Sequence, residues 1–208
     1  MNSDNATQKW DERYADETYA YGETPNLFLQ EQLSLLKPGK ILFPLEGEGR
    51  NAVHAARMGW DVTAFDQSIQ GKQKAISLAA KHKKAIQYKV GDFNEMKFAD
   101  YNFDAVALIF AHLPAVSRKS FHRRLVYSLK SGGTLIIEGF SVKHLAYNAQ
   151  NASAGGPKDA ELLYTLDAIS TEFPNIKFHL LEETVIDLEE GIYHNGKSAV
   201  IRAVGTKK

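Results

Sequence analysis

Apolar residues along this chain fall into short runs, separated by longer segments in which they recur every three or four positions. The runs have the length of β-strands, and the intervening segments have the spacing of amphipathic helices. Five runs predict successive strands at residues 40–44, 61–66, 86–90, 103–110 and 134–138. The fourth run is apolar enough to be buried on both faces, so we expect that strand to lie centrally in a parallel sheet.

Helices are predicted between these strands, and two of them begin at clear N-caps. Asn26 caps a helix that ends before residue 37, and Ser68 caps a lysine-bearing helix that reaches about residue 83. A glycine-rich turn at residues 131–133 should end a further helix. The remaining predicted helices span residues 52–58, 117–129 and 165–173.

The pattern changes after the fifth strand. Residues 140–158 are polar and have no clear period, which is typical of a loop or lid over a site. Residues 177–188 and 198–205 are β-rich, and the Asn195-Gly196 pair favours a tight hairpin turn between them. The chain is therefore predicted to form one domain, residues 1–208, of the α/β class. Its fold should be a Rossmann-like three-layer sandwich whose mostly parallel seven-stranded sheet ends in an antiparallel C-terminal hairpin.

The charge balance narrows the expected partners. The chain has 25 basic and 25 acidic side chains and a formal net charge of zero, so no global field attracts it to nucleic acid or anionic lipid. A small-molecule substrate is expected, with the protein a monomer or weak homodimer.

Cysteine is absent, which excludes disulfides and thiol nucleophiles and is compatible with a cytoplasmic location. The polar N-terminus lacks an apolar signal core. The longest strongly apolar run, residues 105–111, is too short to cross a bilayer. We therefore expect a cytoplasmic protein that does not enter a membrane.

The turn after the first strand carries the main chemical signal. Gly47 and Gly49 would let the backbone approach a nucleotide-like ligand, and Asp66, 17 residues beyond Gly49, ends the second strand. An acid at that place can accept hydrogen bonds from a ribose. This spacing predicts a cofactor that contains adenosine, although the turn alone does not identify it, because many such turns hold glycines for steric reasons.

The chain resembles the class I S-adenosylmethionine-dependent methyltransferases, and within them the small enzymes grouped with tellurite-resistance and thiopurine methyltransferases. The resemblance covers nearly all of the chain and implies S-adenosylmethionine as the cofactor. Its markers are Trp10-x-x-Arg13-Tyr14, Tyr21-Gly22-x-x-Pro25-Asn26, Gly47-Glu48-Gly49-Arg50-Asn51, Asp66, Gly91-Asp92-Phe93 and the C-terminal hairpin.

The resemblance also implies roles for single residues. Amides at the start of the 52–58 helix would face the carboxylate of the cofactor's methionine moiety. Asp66 would accept from both ribose hydroxyls and Asp92 from the adenine amine, while Phe110 and Ala111 would lie beneath the sulfonium. The implied cofactor-binding residues are Glu46, Gly47, Glu48, Gly49, Arg50, Asn51, Asp66, Gln67, Asp92, Phe93, Phe110 and Ala111.

The first cofactor motif departs from the usual pattern of the family. Phe43 stands where that pattern has an acid, and Leu45 stands in place of the first glycine. The acid normally helps to hold the cofactor's ammonium group, and the candidates to replace it are Glu46, Glu48, or a water together with a backbone carbonyl. Losing one charged hydrogen bond would weaken binding by about 1 to 3 kcal/mol.

Other side chains have both structural and functional interpretations. His112 follows the fourth strand and is the one catalytic candidate, although a lone histidine in a loop is more often structural. Trp10, Tyr14 and Tyr21 belong to residues 1–24, which either dock on the core or wall the active site.

A basic cluster on the 117–129 helix is expected to form a solvated face without a function of its own. The other histidines are too far apart in sequence to suggest a zinc site, so no metal is predicted. The basic cluster consists of Arg118, Lys119, His122, Arg123 and Arg124.

The sequence thus favours methyl transfer to a small molecule, with a thiol, selenium or tellurium nucleophile as the candidate acceptor. Two alternatives stay open. A nicotinamide-dependent oxidoreductase would share the βαβ unit and the ribose-binding acid, and Phe43 and Leu45 leave room for a noncatalytic cofactor-binding module.

Overall fold

Seven strands form one mixed sheet in the computed structural model, which describes residues 3–98 and 102–208. The first two residues of the 1–24 segment and residues 99–101 lie outside that description. The order across the sheet is β3-β2-β1-β4-β5-β7-β6. The strands are β1 (Lys40–Pro44), β2 (Asp61–Asp66), β3 (Gln87–Val90), β4 (Phe103–Ile109), β5 (Leu129–Phe140), β6 (Ile176–Glu190) and β7 (His194–Lys207).

Helices cover both faces of this sheet. The prediction missed the first helix, α1, whose polar composition has little of the apolar periodicity that marks the others. They are α1 (Ser3–Tyr14), α2 (Leu27–Ser34), α3 (Arg50–Arg57), α4 (Ile69–Lys81), α5 (Ala115–Ser128), α6 (His144–Gln150) and α7 (Leu166–Glu172), with short 3-10 helices at Ala152–Ala154 and Ala160–Leu162.

Strands β1 to β5 pair in parallel, and β7 pairs antiparallel with both β5 and β6. The predicted fold class, with its parallel core and antiparallel C-terminal hairpin, is confirmed. β4 is the central strand, as expected, and its residues are almost all buried. The strand order reverses between β1 and β4, so a crevice for ligands is expected outside their carboxyl ends.

The two N-caps are confirmed. The Asn26 side chain accepts from the Leu29 amide at 2.9 Å, and Ser68 Oγ accepts from the Gly71 amide at 3.0 Å. Each bond satisfies an amide that the first turn of a helix leaves without a partner. These caps fix where α2 and α4 begin.

The position of the C-terminal hairpin turn differs from the prediction. Asn195 and Gly196 are part of β7, where they pair with Glu189 and Leu188, and the turn comprises residues 191–193. The backbone of Gly191 packs against Ala20–Gly22, and a Cβ at Gly191 would lie 2.5 Å from the Ala20 carbonyl oxygen. A close tertiary contact therefore sets the turn, and the local Asn-Gly preference does not.

Two further expectations need correction. The 131–133 turn lies within β5, which starts directly after α5. The basic cluster of α5 is only partly solvated, because Arg118 and His122 are buried against Glu172 of α7. All three Arg118–Glu172 side-chain contacts are between 2.9 and 3.1 Å.

Residues 140–158 contain more regular secondary structure than the loop predicted from the sequence. They contain α6 and a 3-10 helix, and both pack against β7. His144 is fully buried and stacks on Phe140 with ring centroids 4.0 Å apart. Among the described helices, none combines the length and apolarity needed to cross a membrane.

Candidate active site

The loop between β1 and α3 makes a sharp turn at the carboxyl edge of the sheet. Leu45, Gly47 and Gly49 all have left-handed backbone angles, with φ of 56°, 62° and 85°. A left-handed leucine is strained, because its Cβ crowds the backbone. The surroundings of the glycines are tight as well, since a Cβ on Gly49 would lie 2.5 Å from the Ala75 Cβ. The loop therefore keeps its shape at a conformational cost, which is common at ligand sites.

Glu46 satisfies the N-terminus of α3. Its Oε1 accepts from the amides of Asn51 at 2.9 Å and Ala52 at 2.8 Å. These are the amides that the resemblance assigns to the cofactor's carboxylate. Burial raises the pKa of Glu46 to about 7. The structure thus shows that this helix end accepts a carboxylate, here one from the protein itself.

Asp66 closes β2 directly beside the glycine loop. Oδ2 accepts from the Gly47 amide at 3.0 Å, and Oδ1 accepts from the Ser68 amide at 2.9 Å. Burial raises the pKa of Asp66 to about 6, against the opposing effect of these hydrogen bonds. Gln67 follows, partly buried, and its backbone also contributes to the environment of the carboxylate. The glycine loop therefore holds the Asp66 carboxylate, the group that is predicted to bind the ribose, in place.

Asp92 lies just beyond β3, which is the neighbour of β2 in the sheet. The Gly91 amide donates to the Asp66 carbonyl at 3.1 Å, so the two acids belong to one edge of the sheet. The Asp92 carboxylate accepts from the Asn94 amide at 2.7 Å, which makes a local turn. The partly buried Phe93 packs edge-on against Phe121 with centroids 5.6 Å apart. The structure brings the predicted adenine residues next to Asp66.

Arg124, assigned no function from sequence, holds this adenine-side loop. Its guanidinium donates to the carbonyl of Phe93 and, at 2.7 Å, to that of Asn94. The contact joins α5 to the segment that follows β3. Arg124 therefore positions the loop, while Arg118 and His122 of the same cluster are buried elsewhere.

Beyond β4, Phe110 and Ala111 lie at the place where the strand order reverses. Phe110 has a left-handed backbone, with φ of 52°, and is the counterpart of Leu45 on the neighbouring strand. Its ring lies 4.7 Å from that of Phe140. The Ala111 carbonyl accepts from Tyr164 Oη at 2.5 Å. Both residues thus lie at the expected crevice.

The geometry of His112 does not support the predicted catalytic role. Nδ1 lies 2.9 Å from the Leu162 carbonyl oxygen, and Nε2 accepts from the Phe140 amide at 3.1 Å. Both ring nitrogens are therefore committed to the backbone. Burial lowers the pKa of His112 to about 3, so the ring is neutral. His112 ties two segments together and has no nitrogen left for a substrate.

The N-terminal aromatics dock on the glycine loop. A Cβ on Gly47 would lie 2.5 Å from Tyr14 Oη, and Trp10 stacks on Tyr14 with centroids 5.4 Å apart. Asp11 of the same helix accepts from Ser68 Oγ at 2.5 Å. The C-terminal part of α1, through Asp11 and Tyr14, therefore packs on the turn that the cofactor would contact. A wall role for Trp10, Tyr14 and Tyr21 stays a prediction.

A buried network that sequence reasoning missed lies behind this loop. The Glu190 carboxylate accepts hydrogen bonds from Arg50 Nη2 at 2.7 Å, His194 Nδ1 at 3.1 Å and Asn26 Nδ2 at 2.9 Å. Asn26 Nδ2 also donates to Glu138 at 2.6 Å. Against the opposing effect of burial, Arg50 and His194 hold the pKa of Glu190 well below its usual range. The one available signal was the Glu190-x-x-x-His194 spacing across a hairpin turn.

The remaining motif residues connect the loop to its surroundings. Glu48 Oε1 accepts from the Ala20 amide at 3.2 Å and lies 2.6 Å from Lys74 Nζ. Asn51 Oδ1 accepts from the Asn26 amide at 2.9 Å. Glu48 Oε2 is buried and has no hydrogen-bond partner among the described residues, so a role for Glu48 in holding the cofactor's ammonium stays a prediction.

The residues at this edge fit an adenosyl cofactor with a carboxylate tail. The α3 N-terminus already binds a carboxylate, as Glu46 shows, and a buried acid ends β2 beside it. A second acid follows β3 on the same edge. The donor and acceptor types therefore match the carboxylate, the ribose and the adenine amine.

A comparison with protein families finds one match within this chain. Residues 46–133 match the family model described as a methyltransferase domain. No curated protein matches the chain in sequence. The matched segment runs from the glycine loop through β2 and β3 to β5, so it contains the acids at the sheet edge.

Solved structures match almost the whole chain at low identity. One, from work on the conversion of a disulfide bond into a thioacetal group during echinomycin biosynthesis, has a TM-score of 0.78 at 18% identity and covers 98% of this chain and 92% of its own. TehB from Haemophilus influenzae has a TM-score of 0.71 at 15% identity, with 97% and 67% covered. A methyltransferase dependent on S-adenosylmethionine from Anabaena variabilis has a TM-score of 0.70 at 16% identity, with 99% and 94% covered. The chain has the fold of these three proteins, and the cofactor that the family model and the neighbours support is S-adenosylmethionine.

Proposed function

We propose that this protein transfers a methyl group from S-adenosylmethionine to a small molecule with a soft nucleophile, a thiol being the first candidate. The observation that carries the proposal is the shared edge of β1 and β2. There the Gly47 amide donates to the Asp66 carboxylate. The same glycine loop leads into the N-terminus of α3, whose amides bind a carboxylate. The sulfur preference rests on the sequence resemblance to thiol and tellurite methyltransferases and on the sulfur chemistry named for one structural neighbour.

Each part of the cofactor has a counterpart in this chain. The Asn51 and Ala52 amides would hold its carboxylate once Glu46 moves aside, and Asp66 would hold the ribose hydroxyls. Asp92 and Phe93 would hold the adenine. When bound, the cofactor supplies an electrophilic methyl group on a sulfonium. The protein contributes mainly alignment, which can supply on the order of 7 to 11 kcal/mol.

Water exclusion would come from two segments that already pack over the edge. Helix α1 lies on the glycine loop, and α6 with its following 3-10 helix packs on β7. We infer that residues 1–24 and 140–158 shield the reacting groups. Deleting residues 1–24 should lower turnover; unchanged turnover and cofactor affinity would reject this part of the proposal.

Calorimetry tests the cofactor assignment directly. S-adenosylhomocysteine should bind and NAD should not. Asp66→Asn should weaken S-adenosylhomocysteine binding by about 10-fold or more, because a hydrogen bond to a charged group contributes about 1.5 to 3 kcal/mol. The matched control is Asp61→Asn at the exposed opposite end of β2, which should leave affinity unchanged.

Binding of NAD alone would reject the methyltransferase assignment in favour of an oxidoreductase. The second test is transfer of labelled methyl groups to a panel of thiols, selenite, tellurite, amines and phenols. Tight S-adenosylhomocysteine binding with transfer to none of them would favour a noncatalytic module.

A further inference from the structure

Glu190 and His194 form an oriented pair across the turn between β6 and β7. His194 Nδ1 lies 3.1 Å from Glu190 Oε2, and both side chains are buried. Arg50 and Asn26 hold the carboxylate from two other elements, at 2.7 and 2.9 Å. A carboxylate fixed in this way orients an imidazole with Nδ1 protonated and the Nε2 lone pair free.

The second ring nitrogen of His194 has no hydrogen-bond partner among the described residues. The ring is surrounded by aromatic side chains. It lies 4.5 Å from the ring of Phe110, 4.5 Å from that of Tyr21 and 5.1 Å from that of Phe140. Phe110 directly follows β4, at the point where the strand order reverses. His194 therefore lies beside the crevice in which a methyl acceptor would meet the cofactor.

The same pair is tied to the cofactor loop. Arg50, which holds Glu190, is the first residue of α3 after Gly49. The Ile192 amide in the hairpin turn donates to the Ala20 carbonyl at 2.9 Å, and the Ala20 amide donates to Glu48 in the glycine loop at 3.2 Å. These contacts fix the distance between His194 and the loop.

We propose that His194 is the general base of the reaction, with Glu190 as its positioning residue, and that the acceptor is an apolar or aromatic thiol bound in its protonated form. This inference rests on the proposed methyl transfer. The thiol sulfur forms the new bond to the methyl carbon while the carbon–sulfonium bond breaks and its electron pair stays on the cofactor's sulfur. The thiol proton moves to His194 Nε2, where the Glu190 carboxylate stabilises the imidazolium, and then leaves to water.

Other histidines near the crevice are less suited to this role. Both nitrogens of His112 bind the backbone. His144 Nε2 lies 3.0 Å from the Gly155 carbonyl oxygen. His194 alone among these three combines a carboxylate partner with a free nitrogen.

The acceptor's own acidity provides a sharp test. 4-Nitrothiophenol is ionised at pH 7.5 and needs no base, whereas 2-phenylethanethiol is largely protonated there and does. His194→Gln should lower kcat/KM for 2-phenylethanethiol by 10²-fold to 10⁴-fold and change that for 4-nitrothiophenol less than 3-fold. Affinity for S-adenosylhomocysteine should stay within 2-fold. The control is His179→Gln, an exposed histidine of β6.

Equal losses for both thiols, or no loss, would overturn the inference while leaving methyl transfer in place. A wild-type protein that methylates neither thiol and does not bind S-adenosylhomocysteine would instead overturn the proposed function itself. The pH profile with 2-phenylethanethiol should show one ionisation in kcat/KM that His194→Gln abolishes. Burial lowers the pKa of His194, and the charged and titratable groups that face it are Glu190 of β6, Arg50 of α3, His144 of α6 and, beyond β4, His112, with Tyr21 packed on the ring.

Nitrogen NMR of histidine-labelled protein gives a readout independent of turnover. With S-adenosylhomocysteine added, His194 should be the Nδ1–H tautomer, and Glu190→Gln should change its tautomer balance. The exposed neighbour Glu189→Gln should not. A His194 ring protonated only at Nε2 in the wild type would refute the base assignment.

Discussion

Replacing Glu172 with glutamine tests how strongly the buried cluster between α5 and α7 stabilises the fold. Arg118 donates to both carboxylate oxygens of Glu172, at 2.9 to 3.1 Å, and His122 Nδ1 lies 2.8 Å from Oε2. Burial lowers the pKa of His122 against the opposing effect of Glu172, and the Arg118 guanidinium supplies a permanent positive charge. Glutamine keeps the volume but leaves a buried guanidinium without its counter-charge.

The size of the effect follows from the ionisation of Glu172. Although burial opposes it, hydrogen bonds from His122 and Arg118 lower the pKa from 4.5 to about 2. That shift corresponds to about 3 kcal/mol at neutral pH. It agrees with the roughly 3 to 5 kcal/mol expected when one partner of a buried pair is removed. Because the folded-state pKa is depressed, this stability is complete well above pH 4.5 and is lost as the pH falls toward 2.

Urea denaturation at two pH values measures this contribution. The free energy of unfolding of Glu172→Gln should be lower than that of the wild type by about 3 kcal/mol at pH 7 and by about 2 kcal/mol at pH 3.5. The exposed helical residue Glu31 is the matched control, and Glu31→Gln should change stability by less than about 0.5 kcal/mol. A loss below 1 kcal/mol at pH 7, or one that does not shrink with acid, would refute the reasoning.

Three further substitutions probe the site. Gly49→Ala should destabilise by about 2 to 4 kcal/mol in urea because its Cβ would meet Ala75, whereas Gly59→Ala, with the same left-handed backbone but open space, should cost about 1 kcal/mol; equal losses would contradict the close packing. Without ligand, Glu46→Ala should lower the free energy of unfolding by about 1 to 2 kcal/mol and with it the melting temperature. With S-adenosylhomocysteine it should show a larger thermal shift than the wild type, because the α3 amides are then free. Equal shifts in both proteins would count against competition for those amides. His112→Ala should cost about 2 to 4 kcal/mol by leaving two backbone groups unpaired, with cofactor affinity within 3-fold; lost turnover at full stability would restore a catalytic role.

Elements with strong local signals were predicted well from sequence. β1 and β2 have the predicted limits because each is a short apolar run that begins at a charged residue, Lys40 or Asp61. Asn26 and Ser68 cap their helices because a side-chain oxygen there satisfies a free amide wherever the rest of the chain lies. The acids after β2 and β3 share one edge because parallel strands place their carboxyl ends together.

The errors come from contacts between distant parts of the chain. Arg118 has the sequence spacing of a solvated face, and its burial depends on the ion pair with Glu172 of α7. The hairpin turn follows the docking of Gly191 on Ala20–Gly22, which no local propensity encodes. For the same reason the spacing of Glu190 and His194 did not by itself predict their contact, since the geometry of the pair depends on that turn.

Glu190 is synthesised long after the glycine loop, and this order affects when the site can fold. The Glu190 carboxylate binds Arg50, which lies 140 positions earlier in the sequence, and Asn26, which lies 164 positions earlier. During synthesis the ribosome therefore releases the glycine loop long before its anchoring carboxylate exists. The nascent chain can build the parallel half of the sheet early, but the site reaches its final form only when β6 and β7 emerge, and such long-range closure slows folding.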